Sequence, residues 1–370
     1  MILRSLAVEN FRNYESGSFD FSEGTNVFYG DNAQGKTNAL EAVFFCGMGR
    51  SYRPGKDREL IRFGEEEGHI RLRLEKDGVP HRIDVHLRSS GRKGIAIDGV
   101  PIKKAVELFG VMHVIIFAPE DLSIIKNAPA QRRSFMDMEL CQLDRVYTSN
   151  LIAYNKVIMQ KNKLLKSLEE DRSLAETLPL WNDQLVRYAV PVIKRRRQFI
   201  DELKEITRRV HSGITGGEEE LELIYEPSCD ETELADRLTA GIQKEIWSGM
   251  SQYGPHRDDL RFEINGIDVR SYGSQGQQRT AALSTKLSEI ELVRIRTHDE
   301  PIVLLDDVMS ELDCGRQRRL LSELSGIQTV ITCTGLEELT DKDFCVDKAF
   351  LIEKGKVIKE TNIRENGEKA

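Results

Sequence analysis

No stretch of this sequence approaches the ~20 apolar residues that a membrane-spanning helix needs, so no such helix is expected. The six cysteines, Cys46, Cys141, Cys229, Cys314, Cys333 and Cys345, never form a C-x-x-C pair. That spacing favours reduced, buried thiols over a metal site or a disulfide framework. The seven histidines include no H-E-x-x-H and no clustered pair, which removes the common metalloprotease site. There is no internal repeat and no sustained heptad of apolar a and d positions. The opening Met1–Leu6 turns charged too soon for a secretion signal, so a cytoplasmic setting is expected. Strong positive charge is also missing: the net charge is −8, which argues against a uniformly basic nucleic-acid binder.

What is present is 39% hydrophobic and 31% charged residues over 370 positions, more than one core ordinarily carries, so two lobes are expected. Thr25–Tyr29 is a short β-rich run. Leu40, Val43 and Phe44 then follow helical spacing, with Gly47 placed to end the helix. Ile70, Leu72 and Leu74, then Ile83, Val85 and Leu87, then Ile95 and Ile97 alternate between turns at Asp77-Gly78 and Ser90-Gly91. This is an antiparallel meander with one buried face. Val111 to Phe117 reads as a central strand. From about residue 125 to 250 long helical patterns take over, joined across a polar stretch from Ser167 to Pro179 and interrupted at Gly213, Gly216 and Gly217. Leu260, Phe262 and Ile264 then alternate up to an Asn265-Gly266 hairpin turn.

Three motifs carry chemistry. Gly30-Asp31-Asn32-Ala33-Gln34-Gly35-Lys36-Thr37 is a complete G-x-x-x-x-G-K-[ST] loop between a β-like run and a helical pattern. Its backbone N–H groups would surround phosphates, with Lys36 as a point charge and the Thr37 hydroxyl available to Mg²⁺. Pro301–Leu305 is an apolar run ending in Asp306 and Asp307. Asp306 would hold Mg²⁺, directly or through water, and Asp307 would orient the attacking water or accept its proton. Taken alone the pair also reads as a strand end capped by two acids. Tyr272-Gly273-Ser274-Gln275-Gly276-Gln277-Gln278-Arg279 is a variant of the L-S-G-G-Q sequence of ABC-type ATPases and opens a helical stretch in which Leu283, Leu287 and Ile290 share a face. If the ABC layout holds, this helix start, with Ser274, Gly276 and Gln277, points away from its own phosphate loop and serves a partner's ATP; taken alone it is a polar loop capping a helix. Ser310-Glu311-Leu312-Asp313 follows like the S-A-L-D turn of an ABC dimer interface, which adds Asp313 to the nucleotide set. Arg12, in Asn10-Phe11-Arg12-Asn13-Tyr14, could reach a phosphate; on residue type alone it is a surface arginine.

Charge is unevenly spread. Residues 151–200 hold ten Lys/Arg against five Asp/Glu, a net of +5, and residues 201–250 hold five against thirteen, a net of −8. Lys194-Arg195-Arg196-Arg197, with Lys161, Lys163, Lys166, Arg208 and Arg209 nearby, is either a solvated helix face or a contact to a phosphate backbone.

With these motifs assembled, the chain resembles the bacterial RecF family of DNA replication and repair ATPases, relatives of the SMC-type ABC proteins. The resemblance runs nearly the whole length. It rests on Asn10–Tyr14, Asn32–Asn38, Phe117-Ala118-Pro119-Glu120-Asp121-Leu122, Gly254-Pro255-His256-Arg257-Asp258-Asp259, Tyr272–Thr280 and Leu304–Val308. It implies an α/β, SMC-like P-loop ATPase head with an inserted, mainly α-helical lobe. The head would comprise residues 1–124 and 251–370, the latter carrying the signature and the Asp306 strand, and the lobe residues 125–250. It further implies a weak, DNA-stimulated, Mg²⁺-dependent ATPase that forms an ATP-bound homodimer and clamps DNA, single- or double-stranded, at single-strand gaps. Its implied partners are RecO and RecR, and through them RecA and SSB, with roles in replication restart and SOS induction at the nucleoid.

The sequence departs from the wider ABC pattern. Asp307 stands where Glu is usual, Thr334 stands where the switch strand usually carries His, and Pro119-Glu120-Asp121 replaces the Gln expected after Phe117. Two other readings, a transporter ATPase subunit and a chromosome-packaging SMC protein, lack respectively a recognisable coupling segment and a coiled-coil arm. A related nuclease would need another catalytic domain, for which there is no room.

Overall fold

The computed structural model describes residues 1–340 and 344–363, and the chain separates into two units, one of residues 1–121 with 289–370 and one of residues 122–288.

The first unit holds two six-stranded sheets. One is antiparallel, in the order Tyr14–Asp20, Ile2–Phe11, Glu67–Lys76, Val79–Arg88, Gly94–Ile97, Val100–Pro101. It contains the expected meander. Glu67–Lys76 alternates strictly, with Gly68, Ile70, Leu72 and Leu74 buried and their neighbours outward. Asp77 and Gly78 link it to the next strand with φ of 52° and 74°, the paired left-handed conformation that makes a two-residue turn match strand twist.

The other sheet runs Lys356–Asn362, Lys348–Glu353, Thr25–Tyr29, Thr329–Cys333, Ile302–Asp306, Val114–Phe117, and all but its first strand are parallel. Ile302–Asp306 and Thr329–Cys333 are buried at every position, as expected for strands covered on both faces. Phe19 of the antiparallel sheet packs on Phe28 and Phe350 of the parallel one, with ring centroids 5.0 and 5.7 Å away. Two sequence expectations change here. The apolar run before Phe117 is an edge strand of the described sheet, beginning only at Val114. The helix after the phosphate loop, Lys36–Met48, passes through Gly47 and stops at Gly49, whose φ of 63° ends the turn.

The second unit is built on the antiparallel helices Arg145–Ser167 and Leu178–Thr215. Tyr154, Val157 and Ile158 pack against Leu185, Ala189 and Ile193, with Leu234 and Leu238 closing the cluster. The second unit also contains a three-stranded sheet, Ile267–Asp268, Asp259–Ile264 and Leu221–Glu226. That sheet corrects the expected boundary. The sequence places residues 251–288 in the head, but Asp259–Ile264 pairs residue for residue with Leu221–Glu226. The hairpin and the signature sequence therefore belong to the second unit. Among the described residues no helix is long and apolar enough to cross a membrane.

Candidate nucleotide-binding site

The phosphate loop joins the strand Thr25–Tyr29 to the helix Lys36–Met48, the strand–loop–helix setting the motif requires. Gly35 takes a φ of 120°, and a Cβ on it would lie 2.8 Å from the Asn13 amide, so only glycine fits between loop and strand end. The loop is held from behind. Asn13 Nδ2 donates to the Gln34 carbonyl at 2.9 Å and the Tyr14 hydroxyl to the Gly35 carbonyl at 3.0 Å. Gly355 N–H reaches the Gln34 carbonyl at 2.8 Å and Lys354 N–H the Gln34 Oε1 at 2.7 Å. Asp31, Asn32 and Ala33 stay exposed at the tip, with Ala33 at a φ of 63°. Lys36 is only 8% exposed, and its ammonium donates to the carbonyls of Gly30 and Asp31 at 2.5 and 2.9 Å.

The two half-motifs meet. Thr37 Oγ1 donates to Asp306 Oδ1 at 2.7 Å across 269 residues of sequence. The sheet register causes this contact: Ile302–Asp306 ends beside Thr329–Cys333, which in turn lies beside Thr25–Tyr29. The Tyr52 hydroxyl donates to Asp306 Oδ2 at 2.7 Å, and Thr332 Oγ1 lies 3.1 Å from Asp306 Oδ1. Asp307, exposed at the strand end, has a φ of 53°, and its N–H donates to Thr332 Oγ1 at 2.8 Å. A left-handed aspartate is a strained conformation of the kind found where side chains are aimed for function.

A hydroxyl and a carboxylate at this separation suit Mg²⁺, whose cis oxygens in an octahedron stand about 2.9 Å apart. Both are hard oxygen donors, and Thr37 and Asp306 are the residues that would hold the ion.

In the second unit, Ser274 caps the helix Gln275–Thr297. Gln277 N–H donates to Ser274 Oγ at 3.2 Å, and Gln277 Oε1 accepts from Ser274 N–H at 2.9 Å. This is a reciprocal Ser-x-x-Gln capping box. The expectation for Gln277 therefore changes: its amide is bonded inside its own chain, and Ser274 is the residue left presenting an O–H donor at the helix start.

Comparison with known proteins fits this geometry. The AAA domain family model matches residues 5–212. RecF of Lachnoclostridium phytofermentans is 53% identical over 97% of this chain and 100% of its own length, and RecF of Agathobacter rectalis is 53% identical over 96% and 99%. This chain belongs to the RecF family of DNA replication and repair proteins. A solved structure of the recombination mediator protein RecF with ATPrS, in the RecFOR pathway, superposes with a TM-score of 0.89 at 37% identity, covering 96% of this chain and 97% of that one. The Smc head domain of Pyrococcus furiosus, at 14% identity and a TM-score of 0.59, shares the fold. The fold is the ABC-type ATPase head of the SMC class.

Arg12 is not a simple surface arginine. It clamps Glu41 of the phosphate-loop helix through two bonds, at 2.9 and 2.7 Å, and also reaches the Glu59 carbonyl at 3.0 Å. Arg53 and Ser51 bond the same carboxylate. Burial works to raise the Glu41 pKa, but the bonds from Arg12, Arg53 and Ser51 outweigh it and hold the group below the usual carboxylate range. Asp313 is exposed and caps the helix Cys314–Glu323 by accepting from Gly315 and Arg316 N–H, each at 3.0 Å. The side chain of Glu311 lies outside the described residues, and Thr334 is exposed.

The Lys194–Arg197 run is not the free basic face or phosphate contact that the sequence suggests. Arg196 is 2% exposed and bonds Asp258 Oδ2 at 3.0 Å, Asp137 Oδ1 at 2.8 Å and the Pro255 carbonyl at 2.7 Å. Arg195 pairs with Asp144 at 3.0 Å, and Arg197 with Glu231 at 2.9 Å. Lys161 is buried against Glu245 at 2.7 Å. Three of the four cations of this run, and Lys161, are therefore taken up by acids elsewhere in the unit, and of the four residues only Lys194 stands exposed. The G-P-H-R-D-D string supplies several of those partners: Asp258 holds Arg196, and Asp259 holds Arg132 at 2.6 Å. His256 sits between the Tyr154 hydroxyl, 2.5 Å from Nδ1, and the Ser251 carbonyl, 3.2 Å from Nε2. These partners fix a neutral Nε2–H tautomer, and burial lowers its pKa to about 4.

Sequence reading missed Tyr52, Thr332, Glu41 and Arg53, which carry no motif of their own. It also saw no clustered histidines. His69 and His86 stand opposite one another on neighbouring strands with rings stacked at 4.4 Å, and Glu67 Oε2 is 3.0 Å from His86 Nε2. Only strand pairing could reveal them.

Proposed function

We propose that this protein binds ATP and Mg²⁺ at the phosphate loop, dimerises in response, and in that state holds DNA at single-strand gaps. The observation that carries the reading is the Thr37–Asp306 bond of 2.7 Å, because it joins the two halves of an ATPase site from opposite ends of the chain. Solved RecF structures with ATP and with ATPrS, at 36% and 37% identity, support the choice of nucleotide. Lys36 and the loop N–H groups bind and orient the phosphates; Thr37 and Asp306 would hold Mg²⁺, which when bound offsets charge on the β- and γ-phosphates. Asp307 orients the attacking water. Aspartate is one methylene shorter than the usual glutamate, which fits slow turnover. Ser274, with the helix N-terminus behind it, donates to the phosphate held by a second copy. Asp313, which caps the helix Cys314–Glu323, would meet the second copy as the S-A-L-D turn of ABC dimers does. RecR and RecO are the expected partners, leading to RecA loading on SSB-coated strands and to SOS induction in the cytoplasm, at the nucleoid.

The test is ATP turnover with and without gapped DNA, paired with light scattering with and without ATP. DNA-stimulated turnover with ATP-dependent doubling of mass is expected. Asp307→Asn should bind ATP and stay dimeric without turning over. Turnover that ignores DNA in a protein that never dimerises would point to a nucleotide switch of another kind.

A further inference from the structure

Each end of the Gln277 amide has its own partner. Its Oε1 accepts from Ser274 N–H at 2.9 Å, and its Nε2 donates to Glu219 Oε1, also at 2.9 Å. Glu219 lies in the connection between the helix Leu178–Thr215 and the strand Leu221–Glu226, 58 residues from Gln277. Its second oxygen, Oε2, is 3.2 Å from Nε2 of His211, and His211 Nδ1 is 2.9 Å from Ser284 Oγ. His211 and Ser284 are both fully buried. Ser284 belongs to the helix that Ser274 caps, so the chain of bonds leaves that helix at its first turn and returns to it ten positions after Ser274.

Chemistry fixes the direction of each bond. A primary amide can turn over by half a rotation and present either oxygen or nitrogen. A carboxylate only accepts. Glu219 therefore allows one orientation, with Nε2 facing it and Oε1 facing Ser274 N–H. With Oε1 fixed, the capping box closes and Ser274 Oγ accepts Gln277 N–H. The serine's own O–H is then the donor left to present. His211 holds Glu219 in turn: its Nε2–H donates to the carboxylate while Nδ1 accepts from Ser284. This is the neutral tautomer, and burial lowers the His211 pKa in the direction that keeps it neutral.

We propose that Glu219, braced by His211, is a positioning residue for the signature sequence. It locks the Gln277 amide so that Ser274 and the helix start are pre-set for the triphosphate held by a second copy of the chain. This rests on the reading that the signature engages that second copy. It adds a device that a motif search over Tyr272–Thr280 does not contain.

The experiment measures two quantities on full-length chains: ATP affinity of the phosphate loop from a fluorescent-nucleotide titration, and the ATP-dependent dimer dissociation constant from sedimentation. Glu219→Ala should weaken the dimer by about tenfold, as expected for one charge-assisted hydrogen bond, with ATP affinity within about twofold of wild type. Glu219→Gln should recover to within about threefold, because its carbonyl accepts the same amide hydrogen while its NH₂ donates to His211 in the other tautomer. Gln277→Ala should match Glu219→Ala, and the double variant should be no worse than either. Should Glu219→Ala fail to fold, Gln277→Met carries the test: it removes the amide, keeps a good helix former, and must show the same split.

Additive single effects, or no rescue by Glu219→Gln, would overturn the proposal. Ser274→Arg separates the two levels. A Ser274→Arg chain that dimerises normally with ATP removes the underlying reading. A Ser274→Arg chain that stays monomeric beside a normally dimerising Glu219→Ala chain removes only the role of Glu219.

Discussion

Lys36 and Arg196 are both buried cations, and the sequence presents both as phosphate ligands, yet they are partnered in opposite ways. Lys36, at 8% exposure, donates to two backbone carbonyls and, among the described residues, has no carboxylate partner. Arg196, at 2%, is held by Asp137 and Asp258. A buried charge without a counterion is costly, and a chain keeps one where a ligand's charge will complete it. A buried charge already paired is part of the architecture. The comparison separates a binding cation from a structural one where residue type and local sequence do not.

The sharpest way to break this contrast is to remove each cation and read stability and binding separately. Arg196→Ala leaves Asp258 and Asp137 without their cation and should cost about 3–5 kcal/mol in denaturant unfolding. Loss of DNA affinity in that variant would report unfolding, so a triple replacement of Arg195, Arg196 and Arg197 is a stability experiment. Arg196→Ala with wild-type stability would end the distinction. Lys36→Ala should do the reverse: roughly a 100-fold loss of ATP affinity, read by nucleotide titration, with a melting temperature close to wild type.

The network around Arg196 can be sharpened through pH. His256 has a folded pKa of about 4, set chiefly by burial, against about 6.5 when unfolded. Because the folded value is lowered, the unfolded chain binds the extra proton. This histidine's contribution is thus fully present above about pH 6.5 and is lost as pH falls toward 4. Between pH 7 and 5 the loss should be about 2 kcal/mol. It is measured as the difference in pH dependence of unfolding between wild type and His256→Gln, and parallel curves would contradict it. The smallest effects are expected at the rim of the basic run. Arg197→Ala should change stability by less than about 1 kcal/mol, and Lys194→Ala by less than about 0.5 kcal/mol.

The same contrast explains how far the sequence could be read. The phosphate loop, the strand to Asp306 and the meander are legible because local rules make them. Glycines supply φ values of 133° and 120° at Gly30 and Gly35, an unbroken apolar run marks a covered strand, and Asp77-Gly78 makes a turn. What stayed hidden depends on pairing over long separations. Tyr52 finds Asp306 across 254 residues, Arg196 finds Asp258 across 62, and Gln277 finds Glu219 across 58. No periodicity encodes such partners. The boundary error at residues 251–288 has the same origin, since strand pairing between Leu221–Glu226 and Asp259–Ile264 decides it.

On the proposed reading, one complete ATP site combines the phosphate loop of one copy with the signature serine of another. A mixing experiment tests it most directly. Lys36→Ala chains lack the loop cation, and Ser274→Arg chains lack the signature, so neither should dimerise with ATP or turn it over alone. Mixed in equal amounts, they can build one site from the intact loop of the second and the intact serine of the first. ATP turnover and an ATP-dependent dimer are expected in the mixture, neither of which either variant gives by itself. A mixture as inactive as its two components, with both variants folded, would contradict it.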